Sequence, residues 1–394
     1  MSGRPSDLVL TMAAADSVRR GHPWVWDRAL GKPPSGLGAG AEVVLLAPDR
    51  TRLGRGIYDP DSPIAVRVWS TTADEPLDEA HLAAKLVRAA GRRHPIVETG
   101  TTSAYRLLHG EGDRVPGIVI DRYDHVAVLR LDGPGAEAVA GRLKRPILDA
   151  LVAWGIADVA VRRANKGSAP AFEVWAGKEL PATITVQEEG VPFVVDLRSG
   201  QKTGAFLDQR DNRRRVGAMA HGKRVLNLFS YAGGFSLHAA RGGAAHVTSV
   251  DIAAQAHATA QASFRAAGLD PRGHEFVSAD VFAFLGKARE RGETWDIVIS
   301  DPPSFAPSAK SLPRALAAYR SLHQAAVGVL ADGGTLCAAS CSSHVDAEAF
   351  LSTLDDVALG GRALSLLELH GPPPDHPTIP GWPEGRYLKF AVLR

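Results

Sequence analysis

The chain has 394 residues, of which 45% are apolar and 22% are charged, and its formal net charge at pH 7 is +2. This length predicts roughly two to three domains, and the composition is ordinary for a soluble globular protein. Because the net charge is so small, overall charge gives no support to nucleic-acid binding, which only local clusters of basic residues can indicate.

The cysteine count and the apolar runs exclude further classes of protein. With only Cys337 and Cys341 present, the chain cannot carry a disulfide framework, and it fits the reducing cytoplasm. The N-terminal residues lack the apolar segment of a signal peptide, so we expect none. No run of about 18 apolar residues occurs, so we expect neither a membrane span nor a membrane partner.

Residues 1–72 contain the strand-like runs LVLTM, AEVVLLAP, RLGRGIYD and IAVRVWS, broken by Gly and Pro. They predict a small β-barrel-like domain. Within it, the stretch RRGHPWVWDRAL places Arg19, Arg20 and Trp24 close together, and cations beside aromatic rings suit binding to phosphates and stacking on bases. The alternative is that the tryptophans fill a small core while the arginines are solvated.

Residues 73–185 predict a compact α+β domain. A helical stretch, LDEAHLAAKLVRAAGRRH, comes first, and YRLLHGEGDRVPGIVIDRYDHVAVLRL then reads as loop, strand, turn and strand. A second helical stretch, AVAGRLKRPILDALVAWG, precedes the strand-like runs DVAVRRAN and FEVWAG. GEGD in the first loop is ordinary turn chemistry.

A basic segment opens the last predicted domain, residues 186–394. After the strand VPFVVDL, the block GQKTGAFLDQRDNRRR ends in a stretch that predicts a helix with its arginines on the solvated side. We interpret Arg210, Arg213 and Arg214 as an RNA-facing edge of a lid beside a cofactor. A basic surface helix without that function is the alternative.

From residue 224 onward, strands and helices alternate regularly, which predicts a doubly wound α/β sheet with its active groups at the C-terminal ends of the strands. The Pro-rich connection GPPPDHPTIPGWPEG does not read as a helix. The last strand, YLKFAVLR, is therefore expected to run antiparallel to its predecessor.

The centre of this domain is the stretch RVLNLFSYAGGFSLHAARGGAAHVTSVD, which predicts strand, tight turn, helix and strand. Gly233 and Gly234 allow backbone amides to approach a ligand at the start of the helix. Asp251 lies 18 residues beyond Gly233, where a carboxylate can accept the ribose hydroxyls of a nucleoside. The stretch is neither G-x-G-x-x-G nor a P-loop, so it suits a nucleoside cofactor without pyrophosphate, such as S-adenosylmethionine. An ordinary core unit with a solvated Asp251 is the alternative.

Three acidic residues, Asp251, Asp280 and Asp301, close successive predicted strands and should lie along one edge of the sheet. Asp280, with the backbone of Val281, is placed to contact an adenine amino group. Asp301 begins the rigid sequence Asp-Pro-Pro-Ser-Phe, since two prolines restrict the loop. Phe305 either stacks on an inserted base or packs in the core.

The two cysteines receive different interpretations. Cys337 lies inside an apolar strand and is expected to be a small core residue. Cys341 lies at the end of that strand among serines and His344, beside Asp301 on the adjacent strand. A thiol there is either a nucleophile, if its thiolate is stabilised, or inert.

Five motifs in this order, GEGDRVPGIVIDRYD, GQKTGAFLDQRDNR, VLNLFSYAGGFS, SDPPSF and SCSSHV, resemble the RlmI-type family of S-adenosylmethionine-dependent 23S rRNA cytosine-5 methyltransferases, with an N-terminal PUA domain. The resemblance covers nearly the whole chain. GQKTGAFLDQRDNR is its most specific part and departs from the family only at Ala205, where an aromatic residue is usual.

The resemblance implies a class I methyltransferase sheet, large-subunit rRNA as partner, Cys341 as nucleophile and Asp301 as the residue that holds the target base. Asp-Pro-Pro-Ser replaces the motif that carries a second cysteine in other RNA cytosine-5 methyltransferases, so the base that releases the product, His344 or a water, stays open. No metal is implied, and a homodimer is left open. The residues that it assigns to S-adenosylmethionine are Lys202, Thr203, Phe206, Gln209, Phe229, Ser230, Tyr231, Gly233, Asp251, Asp280 and Val281.

Rival functions use the same fold. Asp-Pro-Pro loops followed by a hydroxyl or aromatic residue also serve methylation of adenine or guanine nitrogens, for which Cys341 would be dispensable. A non-catalytic RNA-binding homologue is the second rival, and the strand-end acids argue against it. A nicotinamide dehydrogenase lacks its glycine fingerprint here. The sequence names neither the methylated nucleotide nor the form of the substrate, free rRNA or assembled subunit.

Overall fold

A computed structural model describes residues 5–31, 33, 35–163 and 171–394. The described part of the chain divides into two compact units. The first is drawn from Met1–Ala182, Leu197–Ala205 and Pro374–Gly385, and the second comprises Thr183–Asp196, Phe206–Pro373 and Arg386–Arg394. The chain therefore passes between the units several times, and a division into consecutive domains at residues 72 and 185 stays a proposal.

The first unit contains two sheets. One has the strand order β1-β3-β4-β5-β2, with β1 parallel to β3 and the other pairs antiparallel. Its apolar core includes Leu8, Val18 and Val43. Its elements are β1 (Ser6–Val9), α1 (Met12–Arg19), β2 (Trp24–Val25), β3 (Glu42–Leu46), β4 (Arg52–Tyr58) and β5 (Val66–Ser70).

The other sheet has the order β10-β9-β8-β7-β6, with only β8 and β9 parallel among the paired strands. Its core also takes Ile57 and Trp69 from the first sheet, which is why both sheets belong to one unit. Its elements are α2 (Glu79–Val97), β6 (Ala104–His109), β7 (Ile118–Tyr123), β8 (Val126–Leu131), α3 (Pro134–Arg142), α4 (Lys144–Ala153), β9 (Asp158–Arg163) and β10 (Ala171–Ala176).

Two expectations for this sheet need correction or restriction. The single helix predicted around residues 138–155 is two helices, because Pro146 lacks an N–H and therefore suits the first turn of a new helix, α4. The last two residues of the predicted strand DVAVRRAN lie outside the described residues, and β9 ends at Arg163.

Buried charge ties the segment Pro374–Gly385 into the first unit. Arg93 donates to the carboxylate of Asp113 at 2.7 Å and to the carbonyl oxygen of Asp375 at 2.6 Å. The backbone N–H of Arg106 donates to the Asp375 carboxylate at 3.0 Å. Arg93 and Asp375 are almost fully buried. Since a buried charge must be paired, the first unit needs this late segment of the chain.

The second unit is built on a sheet with the order β15-β14-β13-β16-β17-β19-β18. Strands β13 to β17 are parallel, and β19 is antiparallel to both β17 and β18. Its elements are β11 (Thr183–Glu188) and β12 (Val191–Asp196), which form a separate hairpin, α5 (Arg210–Met219), β13 (Arg224–Leu228), α6 (Gly234–Arg241), β14 (His246–Asp251), α7 (Ala254–Ala266), β15 (Glu275–Ser278), α8 (Val281–Glu290), β16 (Trp295–Ser300), α9 (Leu312–Val327), β17 (Leu330–Ser340), α10 (Ala347–Leu351), β18 (Leu366–His370) and β19 (Lys389–Leu393).

Helices cover both faces of this sheet. Successive residues of β17 pack in different cores: Leu336 lies with α8 and α9, whereas Cys337 lies with α5, α6 and α7. This is the arrangement that a period of two along a strand imposes when both faces are buried. The predicted doubly wound sheet and the antiparallel last strand are confirmed.

The sequence DAEAFLSTLDDVALG, residues 346–360, predicts one helix, but α10 ends at Leu351. The hydroxyl of Ser352 donates to the carbonyl oxygen of Ala349 at 2.8 Å, and that of Thr353 donates to the carbonyl oxygen of Phe350 at 2.6 Å. Such bonds compete with helix continuation. Of the helices that the structure describes, none combines the length and the apolar composition of a membrane span.

Candidate cofactor and catalytic site

The turn after β13 has an unusual backbone. Phe229, Tyr231 and Gly233 have φ values of 56°, 45° and 73°. Positive φ is natural for glycine but costs energy for the two aromatic residues, of order 1–3 kcal/mol each. Backbone strain of this kind is concentrated at functional sites, and here it sits at the carboxyl end of the central strand.

Asp251 holds this turn in place from the end of the neighbouring strand. Its Oδ2 accepts a hydrogen bond from the backbone N–H of Tyr231 at 2.8 Å, and its Oδ1 accepts one from Ala253 at 2.8 Å. Ser230, between the strained residues, is buried, and its hydroxyl has no hydrogen-bond partner among the described residues. A buried orphan hydroxyl beside a half-buried carboxylate is a suitable place for a polar ligand.

The glycine pair has a role in packing that the sequence analysis missed. A Cβ on Gly233 would lie 2.7 Å from Cβ of Ala260 in α7, and a Cβ on Gly234 would lie 2.8 Å from Cδ of Arg213 in α5. Both glycines thus let α6 approach its neighbouring helices. The two glycines therefore allow close helix packing, in addition to any approach of backbone amides to a ligand.

Asp280 and Val281 start α8, at the same edge of the sheet as Asp251. The Asp280 side chain caps the helix by accepting from the N–H of Ala283 at 2.9 Å, while Val281 is buried. Apolar residues follow these acids: Ile252 is 77% exposed and Phe282 is 40% exposed. Because β14 and β15 are neighbours, this edge offers acids and apolar surface together, which suits a nucleoside.

The block GQKTGAFLDQRDNR is divided between the units. Lys202 and Thr203 belong to the first unit. Thr203 is buried there, and its hydroxyl contacts the Asp121 carboxylate and, at 2.9 Å, the hydroxyl of Tyr123. The structure gives the Thr203 side chain a structural role, so a cofactor contact from either residue stays a prediction.

Phe206 and Gln209 belong to the second unit. Phe206 packs edge-on against Tyr231, with ring centroids 5.4 Å apart. Gln209 is buried, and its Nε2 donates to Asp301 Oδ2 at 3.0 Å while its Oε1 accepts from Asn212 at 2.7 Å. The Gln209 amide thus contacts the predicted catalytic carboxylate, and its contact with a cofactor stays a prediction.

Asp301 and Cys341 follow neighbouring parallel strands, β16 and β17. Cys341 Sγ donates a long hydrogen bond of 3.9 Å to the carbonyl oxygen of Pro302, and Cys341 is half-buried. The structure therefore brings the predicted nucleophile against the Asp-Pro-Pro loop.

Tyr319, which the sequence analysis did not single out, lies beneath this pair. It is fully buried in α9, and its hydroxyl donates to Ser340 Oγ at 3.0 Å. Burial raises the pKa of Tyr319 to about 12, and the nearby negative charges of Cys341 and Asp301 act in the same direction. Tyr319 thus stays neutral, with its hydroxyl bonded to Ser340.

The other cysteine is inert, as predicted. Cys337 is fully buried in β17, and burial, followed by the charge of Glu368, raises the pKa of its thiol to about 12. Of the two thiols, Cys341 alone is partly exposed. His344, considered as a base, is exposed in the turn after Cys341.

Two of the arginines predicted to face RNA are buried, and that prediction is wrong for them. Arg210 is 2% exposed and Arg213 is 7% exposed. Arg213 donates to the Glu188 carboxylate at 2.6 Å, and Arg210 lies 3.3 Å from the carboxylate of Asp211. Arg214, the third arginine, is exposed on α5.

The remaining residues predicted to face RNA differ in their exposure. Arg19 and Arg20 are exposed at the end of α1. Trp24 is half-buried, packs against Trp26 and Trp382 with centroids 5.9 and 5.3 Å away, and donates to Glu111 at 2.9 Å. These contacts favour the core interpretation for Trp24.

Phe305 also favours the core interpretation. It packs against the core of the second unit, with its ring centroid 4.9 Å from that of Tyr319. Among the described residues, no group of three or more His, Cys, Asp or Glu side chains is arranged to hold a metal ion.

Comparisons with known proteins agree with this geometry. A family model for S-adenosylmethionine-dependent methyltransferases matches residues 133–388, and one for PUA-like domains matches residues 8–71. The chain is 37% identical to ribosomal RNA large subunit methyltransferase I of Aliivibrio fischeri over 391 residues, covering 98% of each chain. It is 38% identical to the protein of the same name from Shewanella denitrificans over 389 residues, covering 96% of each.

Solved structures show the same similarity. SMU.776, a methyltransferase crystallised with SAH, superposes with a TM-score of 0.86 at 26% identity, covering 98% of this chain and 99% of that one. A SAM-dependent methyltransferase from Streptococcus mutans gives a TM-score of 0.85 at 26% identity with the same coverage.

Proposed function

The chain belongs to the family of S-adenosylmethionine-dependent methyltransferases named ribosomal RNA large subunit methyltransferase I, and we propose that it methylates carbon 5 of a cytosine in 23S rRNA through a covalent adduct with Cys341. S-adenosylmethionine is the cofactor of this family and supplies a methyl group on a sulfonium sulfur. The single observation that supports the finer assignment is the half-buried Cys341 thiol, 3.9 Å from the carbonyl oxygen of Pro302 in the Asp-Pro-Pro loop.

The residues of the second unit fit the cofactor. Asp251 and the backbone of Tyr231 would hold the ribose side, with the orphan hydroxyl of Ser230 nearby. Asp280 and the exposed apolar residues Ile252 and Phe282 would hold the adenine. Phe229, Gly233 and Val281 shape the same edge of the sheet.

The reaction needs a nucleophile because carbon 5 of cytosine is not reactive by itself. The Cys341 thiolate attacks carbon 6, so that a sulfur–carbon bond forms and the electron pair of the carbon 5–carbon 6 double bond moves toward carbon 5. Asp301, protonated when the base is bound, donates a hydrogen bond to ring nitrogen 3 and stabilises the negative charge that develops on the ring. With S-adenosylmethionine bound, carbon 5 would take the methyl group as the sulfur–methyl bond breaks, which leaves the neutral thioether S-adenosylhomocysteine. A base then removes the carbon 5 proton, the carbon 5–carbon 6 double bond re-forms, and the bond from carbon 6 to Cys341 breaks to restore the thiolate.

The substrate base must leave its stack to reach this edge of the sheet. The PUA-like domain, with Arg19 and Arg20 exposed, is the proposed site for the surrounding rRNA, because arginine side chains bind phosphates without regard to sequence. Arg214 is a further candidate on α5.

The test is methyl transfer from radiolabelled S-adenosylmethionine to large-subunit rRNA, supplied both free and in assembled subunits, followed by digestion to nucleosides. Wild type is compared with Cys341→Ala, and Cys337→Ala is the matched control because its thiol is buried. We expect label in 5-methylcytidine that disappears only in Cys341→Ala. Label in a methylated adenosine or guanosine that persists in Cys341→Ala would overturn the proposal in favour of nitrogen methylation.

A further inference from the structure

Lys389 is a buried cation that the reaction above does not use. It is the first residue of β19, in the apolar sequence KFAVL, and is 4% exposed. Lysine is almost never this deeply buried without a partner. Its Nζ donates to the carbonyl oxygens of Ser342 at 2.6 Å and Tyr387 at 2.7 Å.

The register of the sheet places Lys389 opposite the end of β17, next to the segment that carries the predicted nucleophile. Lys389 pairs with Ser340, the residue before Cys341, in the antiparallel β17–β19 ladder. The Ser342 carbonyl that receives the Lys389 hydrogen bond follows Cys341 directly. Cys341 is thus bracketed by the two residues that Lys389 contacts or pairs with.

The charges around the pair come from several elements. Burial lowers the pKa of Lys389 to about 8, while the charges of Cys341 and of Asp346, at the start of α10, act to raise it. Tyr319 on α9 lies within electrostatic reach of both Cys341 and Asp301. Among these groups Lys389 is the cation, and its positive charge favours the thiolate form of Cys341.

We propose that Lys389 is a positioning residue that stabilises the Cys341 thiolate through its buried positive charge. The proposal deepens the proposed function and rests on it for the role of the thiolate in catalysis. The thiol proton leaves to solvent, and the ammonium keeps its protons, so no bond to Lys389 forms or breaks. Because the charge pair is partly desolvated, its effect on the thiol is larger than that of a surface lysine.

The test is the rate of Cys341 alkylation by iodoacetamide as a function of pH, in the full-length protein. Only the thiolate reacts, and Cys337 is buried, so Cys341→Ala defines the background. Lys389→Met removes the charge at similar size, Lys389→Arg keeps the charge, and Lys287→Met removes an exposed lysine on α8 as the matched control.

We expect Lys389→Met to alkylate at least about ten-fold more slowly than wild type at pH 7, since an opposite charge at close range shifts a pKa by one unit or more. The difference in alkylation rate should vanish at a pH above the Cys341 pKa of both wild type and Lys389→Met. Lys389→Arg should keep most of the wild-type rate, and Lys287→Met all of it. A folded Lys389→Met protein with the wild-type pH profile would overturn the proposal.

A reciprocal measurement needs no substitution of Lys389, in case that variant does not fold. If the thiolate and the ammonium interact, removal of the thiolate must lower the pKa of Lys389 by the same coupling. Lysine-ζ NMR titration of wild type and Cys341→Ala is expected to show a lower Lys389 pKa in the variant. Equal pKa values would contradict the proposal.

These measurements separate the two proposals. Alkylation and NMR report the charge pair whether or not methyl transfer uses Cys341. If methylation persists in Cys341→Ala while Lys389→Met still slows alkylation, the proposed function fails and the charge pair stands. If methylation is lost in Cys341→Ala but the alkylation rate is the same in Lys389→Met as in wild type, the proposed function stands and the charge pair fails.

Discussion

Gln209 Nε2 donates to Asp301 Oδ2 at 3.0 Å, and Asn212 in turn donates to Gln209 Oε1 at 2.7 Å. The chain of amides is buried and begins in the segment that precedes α5. It fixes the direction of the Asp301 carboxylate. Gln209 is therefore a positioning residue for Asp301.

Gln209→Met keeps the side-chain volume but cannot donate to Asp301. We expect the rate of methyl transfer to fall on the order of 10²-fold, because a misplaced catalytic group carries a loss of that size. The dissociation constant of S-adenosylmethionine, measured by calorimetry, should change little. A large loss of cofactor affinity with an unchanged maximal rate would instead return Gln209 to the cofactor site.

Asp251→Ala removes the acceptor of two backbone N–H groups as well as the proposed ribose ligand. We expect cofactor affinity to fall at least about ten-fold. Stability should fall by about 1–3 kcal/mol, since two hydrogen bonds that contribute about 0.5–1.5 kcal/mol each are lost. Calorimetry and urea unfolding measure the two effects. Asp270→Ala, in an exposed turn with Arg272, is the control and should change neither.

Glu188 should make stability depend on acid pH. Burial acts to raise the pKa of its carboxyl group, but the charge of Arg213 and hydrogen bonds from His238 and Arg213 outweigh burial and lower it to about 2. The unfolded carboxyl titrates near 4.5, so the unfolded state binds the proton first as the pH falls. The stability contributed by Glu188 is complete above about pH 4.5 and is lost progressively toward pH 2.

Glu188→Gln tests this linkage. At pH 7 the variant should be less stable than wild type by about 3 kcal/mol, because the buried Arg213 loses its charge partner. The difference should narrow as the pH falls from 4.5 toward 2, as followed by urea unfolding. Glu293→Gln, which breaks the more exposed pair with Arg291, should show no such trend; a constant difference for Glu188→Gln would contradict the linkage.

Trp24 and Arg20 separate folding from RNA binding in the PUA-like domain. Trp24→Ala should lower the free energy of unfolding by about 3 kcal/mol, because Trp24 packs between Trp26 and Trp382. Arg20→Ala should leave stability unchanged, weaken rRNA binding and reduce the salt dependence of binding by about one unit of slope. Thermal unfolding and binding at several salt concentrations measure both. Unchanged rRNA affinity in Arg20→Ala would remove this arginine from the interface.

Much of the second unit could be predicted because its signals are local. The alternation of apolar runs and helical stretches predicts the doubly wound sheet, and acids that follow strands must lie on one edge when the strands are parallel. Burial of Arg210 and Arg213 could not be predicted in this way. The partner of Arg213, Glu188, lies 25 residues away on a hairpin, and nothing in DQRDNRRR distinguishes an arginine with a buried carboxylate from a solvated one.

The residues that pack around Asp301 and Cys341 could not be predicted for the same reason. Tyr319 and Asn212 act through side-chain contacts that only the packed structure reveals. A signal for Lys389 did exist, since a single lysine in the apolar strand YLKFAVL is unusual at a buried position. It is informative only once β19 is known to pair with β17, beside Cys341.

The return of residues 374–385 to the first unit has a consequence for folding during synthesis. Arg93 and Arg106 bind Asp375, a partner that leaves the ribosome only after nearly all of the second unit. At typical rates, translation from residue 205 to residue 374 takes roughly 10–30 s. If the first unit folded during that time, Arg93 would be desolvated before its acceptor on Asp375 had been synthesised. The first unit should therefore remain incompletely folded, and accessible to chaperones and proteases, until Asp375 has been synthesised.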